Sequence, residues 1–162
     1  MAAALAAATP AAAKPIYGCF TRAYDAADLA AAPAQVVEEL VVQLTLDEGE
    51  FYTGFVAARF AAQGRVAGTA AAAGAWHQQW ANCVEGEGGV TCSADCGGGM
   101  LTVVPRQDGV DVVTSGFGVL REGLVNGPCA GTETLAEVPG QPVTYRLYTA
   151  HNNVCSMMSG EK

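Results

Sequence analysis

The sequence predicts an all-β protein, mainly an antiparallel sandwich or a small barrel, with one short N-terminal helix. Seven to nine short apolar runs follow one another along the chain, and each alternates with polar residues at a period of two. Glycine-rich turns separate them, which is the spacing of an antiparallel sheet rather than of a β-α-β fold. Six cysteines, an even number, indicate that disulfides stabilise this fold.

The helix is predicted directly after residue 25. Asp25 is suited to the N-cap, Asp28 lies in the first turn, and alanines follow as far as Pro33. Alanine favours helix, acidic side chains stabilise its N-terminus, and proline ends it. The prediction is therefore a helix of about two turns.

The strands are predicted from alternation. In residues 36–46 one face is apolar, although Glu38 interrupts it near its start. The apolar side chains of that face are Val36, Leu40, Val42, Leu44 and Leu46. Further strands are predicted within 53–63, 75–83, 89–92, 100–104, 110–114, 117–120 and 142–150. The turn at 107–109 indicates a hairpin between two of them.

Charge argues against one class of function, and the length of the apolar runs argues against another. The chain carries 16 acidic and 8 basic residues, a net charge of −8, and the basic residues are scattered. Such a field repels phosphate backbones, so we expect no nucleic-acid binding. No stretch approaches the roughly 18 apolar residues of a transmembrane helix, so we expect no transmembrane segment.

Residues 1–13 are predicted to be the remnant of a signal peptide. They are apolar and rich in alanine, and they end in small residues before Lys14, as a signal peptidase site does. The alternative is an alanine-rich tail. Residues 14–162 are then one disulfide-stapled β domain, which we expect to be periplasmic or secreted.

Three cysteines crowd into residues 83–99, and register counting pairs two of them. If 75–83 and 89–92 form a hairpin with the turn 85–89, Cys83 stands directly opposite Cys92. Opposed residues of this kind are close enough for a disulfide. The remaining pairs are predicted as Cys96 with Cys129 and, by elimination, Cys19 with Cys155.

Metal binding is the alternative for this cluster. Zinc sites usually show two tight ligand pairs, and Cys92-x-x-x-Cys96 has no second pair after it. Glu85, Glu87 and Asp95 form only a fragment of a calcium loop. We therefore expect neither a metal nor a cofactor, and we interpret the acidic turn as an exposed hairpin tip.

The stretch 76–80 is the densest aromatic and polar cluster. Trp76, Gln78 and Trp80 share one face of the predicted strand, and His77 lies on the other. One interpretation is a ligand-binding groove lined by the tryptophans. The favoured interpretation is that the tryptophan face is the core, because tryptophans are usually buried, which leaves His77 exposed.

Three stretches together resemble a group of uncharacterised exported alphaproteobacterial proteins. They are CFTRAYDAADLAAAPAQ (19–35), CSADCGGG (92–99) and EVPGQPVTYRLY (137–148). The matching features are Tyr24-Asp25, Pro33-x-Gln35 and Cys92-x-x-x-Cys96. The resemblance implies export and disulfides, and it implies no activity.

The functional prediction is an exported, non-enzymatic protein that binds a protein partner or a small apolar ligand. Its candidate binding residues are Trp76, Gln78, Trp80, Glu85 and Glu87. The first alternative is a periplasmic enzyme inhibitor, similar to lysozyme inhibitors by architecture only, that presents the 85–89 hairpin. The second is a small hydrolase, for which the sequence offers two histidines but no G-x-S-x-G motif.

Overall fold

A computed structural model describes residues 15–48, 51–95, 98–121 and 132–160. The strands are β1 (Gly18–Ala23), β2 (Val37–Asp47), β3 (Phe51–Phe60), β4 (Trp76–Gly86), β5 (Gly89–Ser93), β6 (Met100–Pro105), β7 (Gly109–Thr114), β8 (Gly118–Arg121), β9 (Thr132–Thr134) and β10 (Val143–Ala150). The helices are α1 (Ala26–Ala31) and α2 (Asn152–Ser159). Two 3-10 turns, Gly64–Val66 and Ala70–Ala72, lie between β3 and β4.

The sheet is a closed antiparallel barrel, which confirms the all-β prediction and decides between barrel and sandwich. Eight strands follow in the order β3-β2-β1-β10-β7-β6-β5-β4, and β4 then pairs with β3 to close the ring. The closing ladder is long, from Tyr52 opposite Cys83 to Arg59 opposite Trp76. Closure removes the exposed strand edges that a sandwich leaves open.

Strand β4 pairs with two different strands along one of its edges. Its C-terminal half pairs with β5, while His77 and Gln78 near its start pair with β8. The short strand β9 continues from β8, so this pair extends the sheet beside the barrel. Neither β9 nor this branching follows from the sequence pattern.

The barrel has two ends, named here by their connections. The hairpin end carries the turns β2–β3, β4–β5 and β6–β7. The loop end carries α1, the two 3-10 turns and the segment that contains β8 and β9. At the loop end Phe117 and Leu135 are fully buried, and the buried Tyr145 hydroxyl donates a hydrogen bond to the Leu135 carbonyl at 2.7 Å.

The interior is filled by side chains, as expected of a barrel of eight strands. Those below 2 % exposure include Tyr145, Phe60, Leu40, Leu101 and Leu147. The interruption at Glu38 coincides with a register shift between Val37 and Glu39. A bulge of this kind adds a residue, which lets both Val37 and Leu40 be buried.

Helix α1 confirms the predicted N-terminal helix. The Asp25 carboxylate caps it by accepting hydrogen bonds from the Ala27 and Asp28 amides at 2.8 Å. The Asp28 carboxylate in turn accepts from the Asp25 amide, which completes a capping box. The prediction of one helix is nevertheless wrong, because the longer helix α2 follows β10. Its sequence, NNVCSMMS, has little helix-favouring composition. Tertiary contacts stabilise it instead, since Cys155, Val154 and Met158 pack on the outside of the barrel.

Two of the three predicted disulfides lie within the described residues, and both are confirmed. Cys83 is opposite Cys92 in the β4–β5 ladder and is bonded to it. Cys19 at the start of β1 is bonded to Cys155 in α2. The predicted pair Cys96–Cys129 and the predicted signal-peptide remnant 1–13 lie outside the described residues. No helix in the described ranges has the length and apolar character needed to cross a bilayer.

Candidate functional site

The predicted tryptophan face lies on the outside of the barrel. His77, Ala81 and Cys83 point into the interior, while Trp76, Gln78 and Trp80 alternate with them on the outside of the barrel. The interpretation of this face as core is therefore wrong, and so is the expected exposure of His77, which is only 2 % exposed. Alternation determines which residues share a face but not which face is inside. The packed interior accepts alanine, cysteine and imidazole more easily than two indoles.

The two tryptophans are held differently. The Arg59 guanidinium lies 5.5 Å from the Trp76 ring centre, and Glu38 and Glu39 fix that guanidinium at 2.6 and 2.9 Å. Trp76 also packs against the outer apolar cluster beneath α2. Trp76 is thus largely a structural residue at the edge of this face.

Trp80 is the residue that this face presents. It is 43 % exposed, and its ring centre lies 5.0 Å from that of Phe55, the residue directly opposite on β3. Phe55 is 1 % exposed and belongs to the outer apolar cluster, so Trp80 rests on a buried aromatic support. A tryptophan held in this way offers a large area to a partner and loses little side-chain entropy on binding.

The outer wall around Trp80 carries no charged side chain along most of β4. The outward residues are Gln78, Trp80, Asn82 and Val84, and the outward neighbours on β3 are Thr53, Phe55 and Ala57. Val84 is 68 % exposed. We call these seven residues the outer wall. Phe55 and Ala57 are themselves buried, so the accessible part of this wall consists of Thr53, Gln78, Trp80, Asn82 and Val84. An uncharged surface with a central tryptophan is the composition found at the cores of protein interfaces.

The acidic residues of the candidate site lie elsewhere. Glu87 and Gly88 form the β4–β5 turn, and Glu85 precedes it opposite Val90. Both glutamates are exposed. Glu85 lies five positions after Trp80, which is about 17 Å along a strand. The structure therefore brings together Trp76, Gln78 and Trp80 but does not bring the two glutamates to them.

A group of polar side chains that the sequence did not indicate lies around the buried His77. His77 lines a cavity of about 230 Å³ with Thr69, Arg121 and Glu133 among others; Thr69 is exposed, and the two charged residues are half-buried. Burial lowers the pKa of His77 below its usual 6.5, and the nearby Arg121 acts in the same direction. The Nδ1 atom lies 3.1 Å from the Ala75 carbonyl, so the neutral ring donates there.

The two histidines do not form a common site. His77 lies near the loop end of the barrel, and His151 follows β10 at the hairpin end. Triad chemistry requires side chains within hydrogen-bonding distance. The simplest form of the hydrolase alternative, with both histidines in one site, does not fit this arrangement.

A second polar cleft was also missed by the sequence analysis. It has a volume of about 410 Å³ and lies beside β10, lined by Arg22, Tyr24, Gln35, Asp111, Thr144 and Arg146. These residues come from four separate parts of the chain. No local motif joins them, so only the closure of the barrel reveals the group.

Together these features define a closed β-barrel with a filled interior, whose accessible polar and aromatic groups lie on its outside. Comparison of the chain with models of protein families, with curated proteins and with solved structures finds no match. The resemblance to exported alphaproteobacterial proteins accordingly stays a prediction.

Proposed function

We propose that this protein is an exported, non-enzymatic binding protein that recognises a protein partner through the outer wall. The observation that carries the proposal is Trp80, which is 43 % exposed and packs against the buried Phe55 on the adjacent strand. Tryptophan is among the residues most enriched at binding hot spots. Its uncharged neighbours favour an interface that excludes water over one that depends on ion pairs.

The filled interior supports a protein partner over a small apolar ligand. A barrel that carries an apolar ligand needs internal space for it, whereas the fully buried Tyr145, Phe60 and Leu101 occupy the interior here. The extended wall of β3 and β4 is instead a shape that another protein surface can cover.

The two disulfides support an oxidising compartment. Such bonds persist in secreted and periplasmic proteins and are rare in the reducing cytosol. The Cys19–Cys155 bond joins the first strand to the last helix, and α2 is held on the barrel beside it. This dependence on an oxidised pair favours export.

Site-specific photo-crosslinking tests the proposal. A benzophenone amino acid replaces Val84, an exposed neighbour of Trp80 on the same face, so that Trp80 stays in place, and the purified protein is irradiated with an envelope extract of its source cells. We expect a discrete crosslinked band that excess wild-type protein suppresses and that excess Trp80→Ala protein does not. Truncation of a hot-spot tryptophan typically costs at least about 2 kcal/mol, roughly a thirtyfold loss of affinity.

The matched control places the same crosslinker at Tyr148. This residue is 42 % exposed and lies on β10, four strands from β4 around the barrel. A band at position 148 identical to that at position 84, or suppression by both competitors, would contradict recognition through Trp80.

The inhibitor function remains a second candidate because of the β4–β5 tip. The Cys83–Cys92 bond ties the two strands directly behind it, and residues 84–88 are all exposed. A rigid, exposed acidic loop is suited to entering a basic cleft. We expect the double variant Glu85→Gln, Glu87→Gln to lose inhibition of a target such as lysozyme. Absence of inhibition by the wild type would exclude that target.

A further inference from the structure

The barrel wall opens where its first and last strands meet. The β1–β10 ladder ends at Thr21 opposite Tyr148, whereas β10 remains paired with β7 as far as Val143 opposite Thr114. On the other side, β1 remains paired with β2 to Ala23. The two strands therefore diverge toward the loop end, and the cleft of about 410 Å³ lies in this gap. We call it the seam cleft.

Arg22 is positioned in the seam cleft by aromatic rings. Its guanidinium carbon lies 4.5 Å from the ring centre of Tyr24 and 5.7 Å from that of Tyr148. The tyrosines restrict the planar group by contact with its faces, which leaves the N–H donors at its edge available. Such preorganisation lowers the entropy cost of binding an anion.

The two arginines of the cleft are only loosely paired. Among the described residues, the one polar contact of the Arg22 guanidinium is to Asp28 at 3.5 Å, and that of Arg146 is to Asp111 at 3.4 Å. Charge-assisted contacts of full strength are about 2.7–2.9 Å long. Each guanidinium has five N–H donors, so most donors of both groups have no protein acceptor there.

Two other arginines of this chain show what a structural role looks like. Arg59 contacts two carboxylates at 2.6 and 2.9 Å. Arg65 binds the Glu133 carboxylate and the carbonyls of Thr134 and Ala136. The pairing of Arg22 and Arg146 is incomplete by comparison, and both side chains line the same cleft.

The charge of the cleft selects the ligand. Its lining residues include two arginines and one aspartate, Asp111, and Asp28 lies 3.5 Å from Arg22, so these four groups carry no net charge. One carboxylate can accept hydrogen bonds from both guanidiniums, whereas a phosphate dianion would add repulsion with Asp111 and Asp28. Tyr24 and the exposed Thr144 add hydroxyl groups that suit a hydroxylated ligand, whereas the amide nitrogen of the buried Gln35 already donates to the Val37 carbonyl at 2.8 Å.

We propose that the seam cleft binds a small, hydroxylated monocarboxylate, such as a sugar acid, with its carboxylate between Arg22 and Arg146. The volume lies within the usual range of small-molecule sites, about 300–1,000 Å³. This site is separate from the outer wall and does not depend on a protein partner there.

NMR titration of the full oxidised chain tests the proposal with three matched probes: glucuronate, glucose and glucose 6-phosphate. Glucuronate differs from glucose in its carboxylate, and the third probe carries a phosphate instead. We expect saturable shifts at Thr144 and Arg146 with glucuronate, at least tenfold weaker binding of glucose 6-phosphate, and none of glucose. Equal binding of glucuronate and glucose, tighter binding of the phosphate, or no saturation by glucuronate at tens of millimolar would overturn the proposal.

Two substitutions that remove charges of opposite sign, and should change the affinity in opposite directions, give a second test. Arg146 is 55 % exposed, so Arg146→Gln should fold normally and bind glucuronate at least tenfold more weakly. Asp111→Asn removes the one negative charge of the lining, and we expect tighter binding. Arg121→Gln, which changes an arginine beside His77 instead, is the control and should leave binding unchanged. Weakening by Asp111→Asn, or equal weakening by Arg146→Gln and Arg121→Gln, would refute the assignment.

Discussion

At the residue scale, Gly54 in the barrel interior has no room for a side chain. A Cβ atom there would lie 2.7 Å from the Cys83 sulfur and 3.2 Å from the Cys92 sulfur. The disulfide is buried, with Cys83 6 % and Cys92 0 % exposed, so its sulfur atoms have little space into which to move. Glycine at position 54 is therefore required by the disulfide on the adjacent strands.

We expect Gly54→Ala to lower the free energy of unfolding by about 1–3 kcal/mol, the usual cost of overpacking a core. Urea unfolding measures it. Gly86→Ala is the control, because it lies on β4, where an added Cβ meets nothing within 4 Å. In a background with Cys83→Ala and Cys92→Ala, the cost of Gly54→Ala should shrink. Equal midpoints for the two alanine variants would contradict the steric account.

The second prediction at this scale concerns His77. Its pKa is lowered by burial, so the unfolded chain binds a proton below pH 6.5 more readily than the folded chain does. Stability is therefore lost as the pH falls below the unfolded pKa. We expect the wild type to lose more stability between about pH 7.5 and about pH 5.5 than His77→Gln does.

Thermal unfolding at the two pH values measures this difference. The matched control is His151→Gln, since His151 is the other histidine of the chain and is exposed. It should retain the pH dependence of the wild type. The same loss of stability in His77→Gln as in the wild type would show that the pH dependence has another source.

At the scale of elements, alternation predicted well where the strands lie, but poorly which face of a strand points into the barrel. The pairing of Cys83 with Cys92 followed from counting residues around a turn, because a hairpin ladder is a local geometry. Which side of β4 faces inward depends on the other seven strands of the barrel. Helix α2 was missed for the same reason, because it too depends on distant parts of the chain: its eight residues would be marginal as an isolated helix.

Helix α2 should therefore depend on its disulfide. In the chain-entropy model, a bond across 136 residues stabilises the folded state by about 5 kcal/mol, against about 2.6 kcal/mol for the 9-residue Cys83–Cys92 bond. We expect the double variant Cys19→Ser, Cys155→Ser to lose hydrogen-exchange protection in α2 first, while β3 to β7 stay protected. If the amides at positions 154 and 155 of this double variant exchanged as slowly as in the wild type, packing alone would hold the helix.

At the scale of the whole molecule, the barrel closes through strands that are distant in sequence. β1 pairs with β10, and the Cys19–Cys155 bond also joins the first strand to the end of the chain, across 136 residues. Folds dominated by such non-local pairing fold slowly, in milliseconds to seconds, because loop closure must precede the contacts that reward it. In the unfolded but oxidised chain, the Cys19–Cys155 bond already holds β1 near the end of β10, so less loop-closure entropy is lost on folding.

We expect the oxidised chain to refold from urea several times faster than the double variant Cys19→Ser, Cys155→Ser. Stopped-flow tryptophan fluorescence measures both rates. The comparison variant is Cys83→Ser, Cys92→Ser, which breaks a short local bond and should slow refolding less. Equal slowing by both double variants would contradict the closure argument.

The sequence by itself determined the all-β class, the first helix with its cap, most strands and the Cys83–Cys92 pair, whereas it indicated Cys19–Cys155 only by elimination. Each depends on neighbours within a helix or a hairpin, or on the number of cysteines. Only the tertiary structure decided that the sheet is a closed barrel, that Trp80 faces outward and His77 inward, and that Arg22 and Arg146 share one cleft. These outcomes depend on which distant strands become adjacent, and a pattern of period two carries no information about that adjacency.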